Sequence, residues 1–210
     1  MLEASESALI ERWRGGEQRA FEELVARYEK RVYNLAYRMS GNADDASDLA
    51  QEAFVRVFTA LPSFKGQSSF ATWLYRIATN VCLDELRRRG RQPVLSLDQP
   101  VAMEEGPVAR QTVDPAAGPL DELERTELRA AVQDGISALQ PEHRAVIILR
   151  DLQGLPYEEI AGVLACSLGT VKSRLNRARL ALRERLSAME LFRGDVVYTG
   201  KQAAEGGSRR

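Results

Sequence analysis

The sequence predicts an all-α protein built as two small helical domains joined by a flexible linker, and three observations carry that prediction. Strand-type alternation is nearly absent, whereas apolar residues spaced three and four apart recur almost everywhere. Residues 91–120 break the pattern: "RQPVLSLDQPVAMEEGPVARQTVDPAAGPL" holds Pro93, Pro100, Pro107, Pro115 and Pro119 and sustains no periodicity. A structureless stretch of roughly 30 residues is unusual inside one compact domain, so it reads as a tether between residues 1–90 and 121–191. Residues 192–210 read as a frayed, Gly-rich tail.

The elements follow in order. A short helix covers 5–13 and stops at Gly15-Gly16. A long one spans 17–39, with Phe21, Leu24, Val25, Tyr28, Val32, Leu35 and Ala36 stepping by three and four to form a wide buried stripe. After "SGNADDASD", Asp44 and Asp45 suit the first turn of a third helix, where the dipole favours negative charge. That helix carries Ala46, Leu49, Ala53, Val57 and Ala60 on one side, and Pro62 ends it. "SFKGQSS" is a loop, and Ser68 or Ser69 caps a fourth helix through "FATWLYRIATNVCLDELRRR", with Leu74, Ile77, Ala78 and Val81 as core. Beyond the linker, "LDELERTELRAAVQDGISAL", "PEHRAVIILRDLQ", "PYEEIAGVL" and "SLGTVKSRLNRARLALRERLSAME" give four more helices.

Composition bounds the function. The 210 residues are 44% hydrophobic and 28% charged with a formal net charge of −1, so bulk electrostatics send the chain neither to nucleic acid nor to membrane. The charge is segregated instead. Residues 172–185 carry six cations against Glu184 alone, while 101–128 carry seven acids against two arginines. No apolar run approaches the ~20 residues of a membrane span, and the charged N-terminus lacks a signal-peptide core, so no membrane insertion and a cytoplasmic location are expected. Cys82 and Cys166 lie far apart within apolar helical patterns and read as buried hydrophobes in a reducing compartment. With one histidine, His143, no clustered cysteines and no glycine-rich phosphate loop, no metal, no cofactor and no catalytic residues are expected; the chain reads as a non-enzyme.

The C-terminal pair of helices reads as a DNA-binding helix-turn-helix. Ile160, Val163 and Leu164 form the buried side of its first helix, and Ser167 caps the second. Val171, Leu175, Ala178 and Leu182 share a narrow sector of that second helix, while Lys172, Ser173, Asn176, Arg177, Arg179 and Leu180 point the opposite way, with Arg174 at the margin. That outward set mixes cations for phosphate with amide and hydroxyl groups for base edges. Where many such turns hold glycine this chain has Ala165, so the turn is expected to close without a positive-φ residue there. Small Ala161 and Ala165 are expected to let the two helices approach. A solvated basic face on an ordinary bundle is the alternative.

The first 90 residues sharpen the reading. "DDASDLAQEAFVRVFTALPSFKGQSSFATWLYRIATNVCLDELRRRGR" resembles the core of bacterial sigma factors of the extracytoplasmic-function (ECF) group in the sigma-70 family, and "LPYEEIAGVLACSLGTVKSRLNRAR" is similar to that family's −35-reading region. The resemblance implies an RNA polymerase sigma factor with a region 2 domain at 1–90 and a region 4 domain at 121–191. It implies core RNA polymerase as a partner, through β′ clamp helices and the β flap, together with promoter DNA and an anti-sigma factor. It implies polymerase binding by Asp48, Gln51, Glu52 and Val55, with Phe54 open between core and interface. It implies capture of single-stranded −10 bases by Phe64, Lys65, Gln67, Ser69, Trp73, Arg76, Asn80 and Arg87, and −35 duplex reading by Lys172, Ser173, Asn176, Arg177 and Arg179. Trp73 stays open between core and base contact, and "RRRGR" between phosphate tracking and a dipole-favoured helix end. A stand-alone helix-turn-helix regulator, or a polymerase adaptor that reads no promoter, are the rival functions.

Overall fold

The computed structural model describes residues 5–91 and 119–188, with side chains at 5–90 and 125–188. The expected tail, and the expected tether apart from residues 91 and 119–120 at its ends, which are helical, therefore lie outside the described residues.

In the first half, helix α1 (Glu6–Arg14) begins at Ser5, whose hydroxyl accepts from the Ala8 N–H at 3.2 Å, and ends in the Gly15-Gly16 turn. Helix α2 (Gln18–Ser40) buries one stripe, Ala20, Leu24, Tyr28, Val32, Leu35, Ala36 and Met39. It ends at Gly41, whose φ of 79° lets its N–H close on the Tyr37 carbonyl at 2.8 Å. Asn42 then caps α3 (Ala43–Ala60), accepting from the backbone of Asp44 and Asp45 at 2.8 and 3.1 Å. The α3 stripe facing α2 is mostly alanine, Ala46, Ala50 and Ala53 with Val57, which lets two long helices lie close. A 3-10 turn at Leu61–Ser63 leads into the loop 64–69. Ser69 opens α4 (Phe70–Arg91) by accepting from the Thr72 N–H at 3.1 Å. Leu74, Ala78 and Val81 are buried as the spacing implied, and Ile77 is partly buried.

The second half comprises α5 (Pro119–Ser137), α6 (Pro141–Ile147), α7 (Tyr157–Val163) and α8 (Leu168–Ala188). The pattern "PEHRAVIILRDLQ" reads as one plain α-helix, but α6 widens into a π segment at Ile148–Leu152. Six successive residues, Arg144 to Leu149, are buried, so the segment is enclosed on all sides and has no solvent face to keep a 3.6-residue period legible.

The two halves meet. Helices α2 and α4 of the first pack against α5, α6 and α7 of the second, and the buried apolar residues of both form one continuous cluster. Cys82 lies 1% exposed in that cluster, its thiol pushed up to about 12 by burial, which makes it inert. Cys166 is only half-buried, at the edge of the turn between α7 and α8, so the expectation of burial holds for the first cysteine and not the second.

Candidate nucleic-acid interface

The turn between α7 and α8 is built by backbone geometry. The Leu164 N–H donates to the Ile160 carbonyl at 2.9 Å and the Cys166 N–H to the Ala161 carbonyl at 3.1 Å, the six-to-one bond of a Schellman motif. Such a motif needs a left-handed residue, and Ala165 supplies it at φ 48°. This corrects the sequence reading, in which the alanine was to close the turn with negative φ. Ala165 is also exposed, so it is not the small residue that lets the helices approach. Ser167 caps α8, its hydroxyl accepting from the Thr170 N–H at 3.1 Å.

Helix α8 buries Val171, Leu175 and Ala178, half-buries Leu182, and presents Lys172, Ser173, Asn176 and Arg177 to solvent. The Ser173 hydroxyl donates to its own helix at the Thr170 carbonyl, 3.0 Å. Arg179 is exposed but engaged, with its Nε 3.0 Å and its Nη2 2.5 Å from the two carboxylate oxygens of Asp151. Leu168 and Leu180 are exposed apolar flanks of the same surface.

The loop 64–69 places Lys65, Gln67, Ser68 and Ser69 in solvent around Gly66. Phe64 does not join them. It is 8% exposed, its ring 5.0 Å from Trp73 and 6.0 Å from Phe70, and its carbonyl accepts from the Arg14 guanidinium. The expected exposed stacking platform is therefore the wall of a groove of about 330 Å³ between α1 and the loop, lined also by Glu6, Ser7, Ile10 and Phe70. Trp73 is half-buried against the same rings, which resolves the open choice toward packing with one exposed side. Glu6 accepts from the Tyr28 hydroxyl, and burial together with that carboxylate raises the phenol well above its ordinary range. Along α4, Arg76 and Asn80 are exposed.

The arginine run that ends α4 is neutralised. Arg87 lies 3.6 Å from Asp84 and 3.2 Å from Glu142, Arg88 2.8 Å from Glu85, and Arg89 2.6 Å from Asp45 and 2.7 Å from Glu85. Hydrogen bonds from Arg88 and Arg89 hold the Glu85 carboxyl down at about 2.

A different surface occupies the outward side of α3. Asp48, Gln51, Glu52 and Val55 are all exposed on it, Val55 to 61%. Glu52 holds Arg56 at 2.7 Å, one helical turn on. Next to Val55, Phe58 is 47% exposed although Trp13 and Phe21 meet its ring edge-on at 5.8 and 5.1 Å. Phe54, left open by its position, is half-buried, and Phe58 takes the exposed place; the i, i+3 step from Val55 was the available signal. A solvated valine and phenylalanine rimmed by Asp48, Gln51 and Glu52 form an exposed apolar patch with an acidic and amide border. Among the described residues no cluster of histidine, cysteine and carboxylate groups could hold a metal ion, and no helix is long and apolar enough to cross a membrane.

Two family models match the chain. The model for sigma-70 region 2 matches residues 24–92, which include α3, the loop and α4, and that for sigma-70 region 4 matches residues 129–182, which include the helix-turn-helix. The chain belongs to the sigma-70 family, in its ECF group. The RNA polymerase sigma-H factor of Pseudomonas aeruginosa is 38% identical over 194 residues, 90% of this chain and 97% of that protein. The ECF sigma-E factor of Escherichia coli is 40% identical over 88% of this chain and 96% of its own length. SigW of Bacillus subtilis is 40% identical over 84% and 94%. Among solved structures, the sigma factor RpoE in complex with the anti-sigma factor NepR from Bartonella quintana matches with a TM-score of 0.61 and 26% identity, over 80% of this chain and 98% of that one. CnrH in complex with the cytosolic domain of CnrY matches with a TM-score of 0.62 and 27% identity, over 86% and 96%. This ECF sigma factor thus directs promoter-specific initiation of transcription, and matches running through both halves in order disfavour the stand-alone regulator.

Proposed function

We propose that this ECF sigma factor holds promoter DNA with two separate surfaces and core RNA polymerase with a third. In α8, Lys172 and Arg177 contact phosphate and base edges of the −35 duplex, with Asn176 placed to pair an adenine edge and Ser173 beside it. Arg179 joins them by exchanging Asp151 for phosphate. In the first half, Lys65, Gln67 and Ser69 on the loop, with Arg76 and Asn80 on α4, hold unstacked −10 bases, while Phe64 and Trp73 shape the apolar wall against which a base can lie. Arg87 contributes once its acids release it. The division into a region 2 unit at 1–90, a linker at 91–120, a region 4 unit at 121–191 and a tail follows from this reading.

The observation that carries the proposal is the α3 surface. DNA reading alone gives no reason to leave Val55 and Phe58 in water beside Asp48, Gln51 and Glu52. A basic helical partner with apolar groups, such as the clamp helices of core polymerase, accounts for all five residues at once. The RpoE relative is bound to an anti-sigma factor, and we extend such a partner to this chain. In this reading the chain is a binding subunit without catalysis of its own and works in the cytoplasm, where promoter and polymerase are.

Run-off transcription with core polymerase on a genomic-fragment library tests the reading and returns the promoter consensus. Val55→Asp should weaken core-polymerase association about tenfold or more, measured by fluorescence anisotropy, because a charge replaces a hot-spot aliphatic. The same variant should bind promoter DNA in the absence of polymerase as the parent does. Equal loss of both would refute the separation of surfaces.

A further inference from the structure

Helix α2 carries a cationic stripe beside its buried one. Arg27, Arg31, Asn34 and Arg38 follow one another at i, i+4, i+7 and i+11 and so share one side of the helix. Exposed Glu22 and Glu29, seven residues apart, lie on nearly the opposite side, so α2 separates its charges around its own axis. At the C-terminal end of the stripe the second half takes part: Gln133 of α5 accepts from Arg38 at 3.0 Å, and Arg144 of α6 donates to the adjoining Met39 carbonyl. Arg27, half-buried, and Arg31, exposed, are different. Neither forms an ion pair among the described residues, and the acid one turn before Arg27, Glu23, is drawn to Arg12 at 3.4 Å.

Ring contacts connect this stripe to the groove beside the loop 64–69. The Arg31 guanidinium lies over the Tyr28 ring, 5.7 Å from its centroid, and also reaches the Tyr75 hydroxyl. The same Tyr28 ring meets Phe70 edge-on at 5.5 Å, and its hydroxyl donates to Glu6. Phe70 and Glu6 both line the groove. The Arg31 charge therefore stands no more than about 11 Å from a groove-lining ring, a span that about three nucleotides cover at 3.4 Å per step. Arg27 follows four residues along α2, about 6 Å away at 1.5 Å per residue. A guanidinium laid on an aromatic face is held in place and keeps its N–H donors for phosphate. A strand whose bases are held at the loop continues beyond them with one phosphate per nucleotide, and Arg31 and Arg27 offer it two cations in succession.

We propose that Arg27 and Arg31 form a further nucleic-acid contact, a phosphate-tracking edge that takes nucleotides flanking the −10 bases on the same single strand without reading their sequence. The proposal rests on the promoter reading above and extends it from the loop and α4 to α2. A single strand suits the stripe better than an acidic protein segment does. Cations set in a line beside a base-sized groove are what a polynucleotide follows. Protein interfaces centre on apolar anchors, and the exposed pair of that kind in this half, Val55 and Phe58, belongs to α3. Bases enter the groove only when unpaired, so the added affinity falls on the melted promoter and not on the duplex.

The test compares two labelled single-stranded oligonucleotides by fluorescence anisotropy with the full chain. One holds only the −10 bases of the promoter consensus, and the other is extended by about six nucleotides on each side. The extended strand should bind the parent about fivefold or more tightly at low salt. Arg27→Gln with Arg31→Gln should erase that advantage and flatten the salt slope by about 1.4, at about 0.7 per phosphate, while the trimmed strand binds within about twofold of the parent. Arg27→Lys with Arg31→Lys should keep most of the advantage, because an ammonium neutralises phosphate but does not reproduce a guanidinium stacked on Tyr28. Loss in the lysine variant, or equal affinity of the parent for both strands, overturns the proposal. Unchanged strand binding by the glutamine variant together with weakened core-polymerase binding assigns the stripe to a protein and overturns it too. A parent that does not prefer the trimmed strand to a scrambled one, with Asn80→Ala silent, strikes the promoter reading itself. If that preference stands and only the extension is without effect, the failure belongs to α2 alone.

Discussion

Two arginine-rich segments, the end of α4 and the length of α8, look alike in sequence and differ in the folded chain. In α4, Arg87, Arg88 and Arg89 meet Asp84, Glu85, Asp45 and Glu142, so the run is a closed ion-pair network. In α8, Arg179 meets Asp151, while Lys172, Arg177, Arg183 and Arg185 have no ion-pair partner among the described residues. The difference teaches that a count of cations measures potential affinity for phosphate, and that neighbouring acids decide how much of it is available. A phosphate approaching α8 displaces water and counterions; one approaching the end of α4 must first displace a carboxylate.

The largest expected effect lies in α8. Arg177→Ala should lower −35-dependent transcription about ten- to a hundredfold, the ~1–3 kcal/mol of a good base or phosphate contact. It should also flatten the salt dependence of promoter binding by about one unit of slope. Arg88→Ala, at the neutralised run, should change neither by more than about twofold. If the two substitutions behave alike in run-off assays across a salt series, the contrast between the segments is wrong.

Much of this contrast could not be read from the sequence. The i, i+3 and i, i+4 acids Asp84 and Glu85 were visible beside the run, but Asp45 comes from another helix 44 residues away and Glu142 from the other half. Stripes and caps were legible because they are local: the α2 stripe and Ser167 were identified from period and residue type alone, and the cap of α4 was narrowed to Ser68 or Ser69, of which the structure uses Ser69. Phe64 was misplaced because a loop has no period to assign its ring a side, and Phe70 and Trp73 enclose it only once α4 folds back. The π segment after α6 was hidden by an apolar run that fits either geometry. The packing of one half on the other depends on Gln133 and Arg144, polar residues that the sequence presents as surface.

A smaller effect sharpens the α8 side of the comparison by rigidifying its base. Ala165 holds a left-handed conformation at φ 48°, which costs an L-residue about 1 kcal/mol relative to glycine. Ala165→Gly should therefore raise stability by up to ~1 kcal/mol, or about 2–4 °C in Tm, without moving the exposed face of α8. A lower Tm in thermal denaturation would mean that the Schellman turn is not the conformation in solution.

The smallest effect belongs to the α4 network and is read through pH. Glu85 titrates at about 2 when folded and near 4.5 when not, so its ion pairs contribute stability that is complete above about 4.5 and lost as pH falls toward 2. The pairs face solvent, and screening holds their net worth to ~0.5 kcal/mol rather than the full shift. Glu85→Gln should then lower Tm by about 1–2 °C at pH 7, and the difference from the parent should vanish as pH approaches 2. It should also release Arg88 and Arg89 from a carboxylate they share, leaving Arg89 with Asp45 alone and Arg88 without a partner. The same variant is thus expected to gain affinity for single-stranded DNA of any sequence at low salt, the reverse of the loss expected in α8, and the gain should disappear as salt is raised.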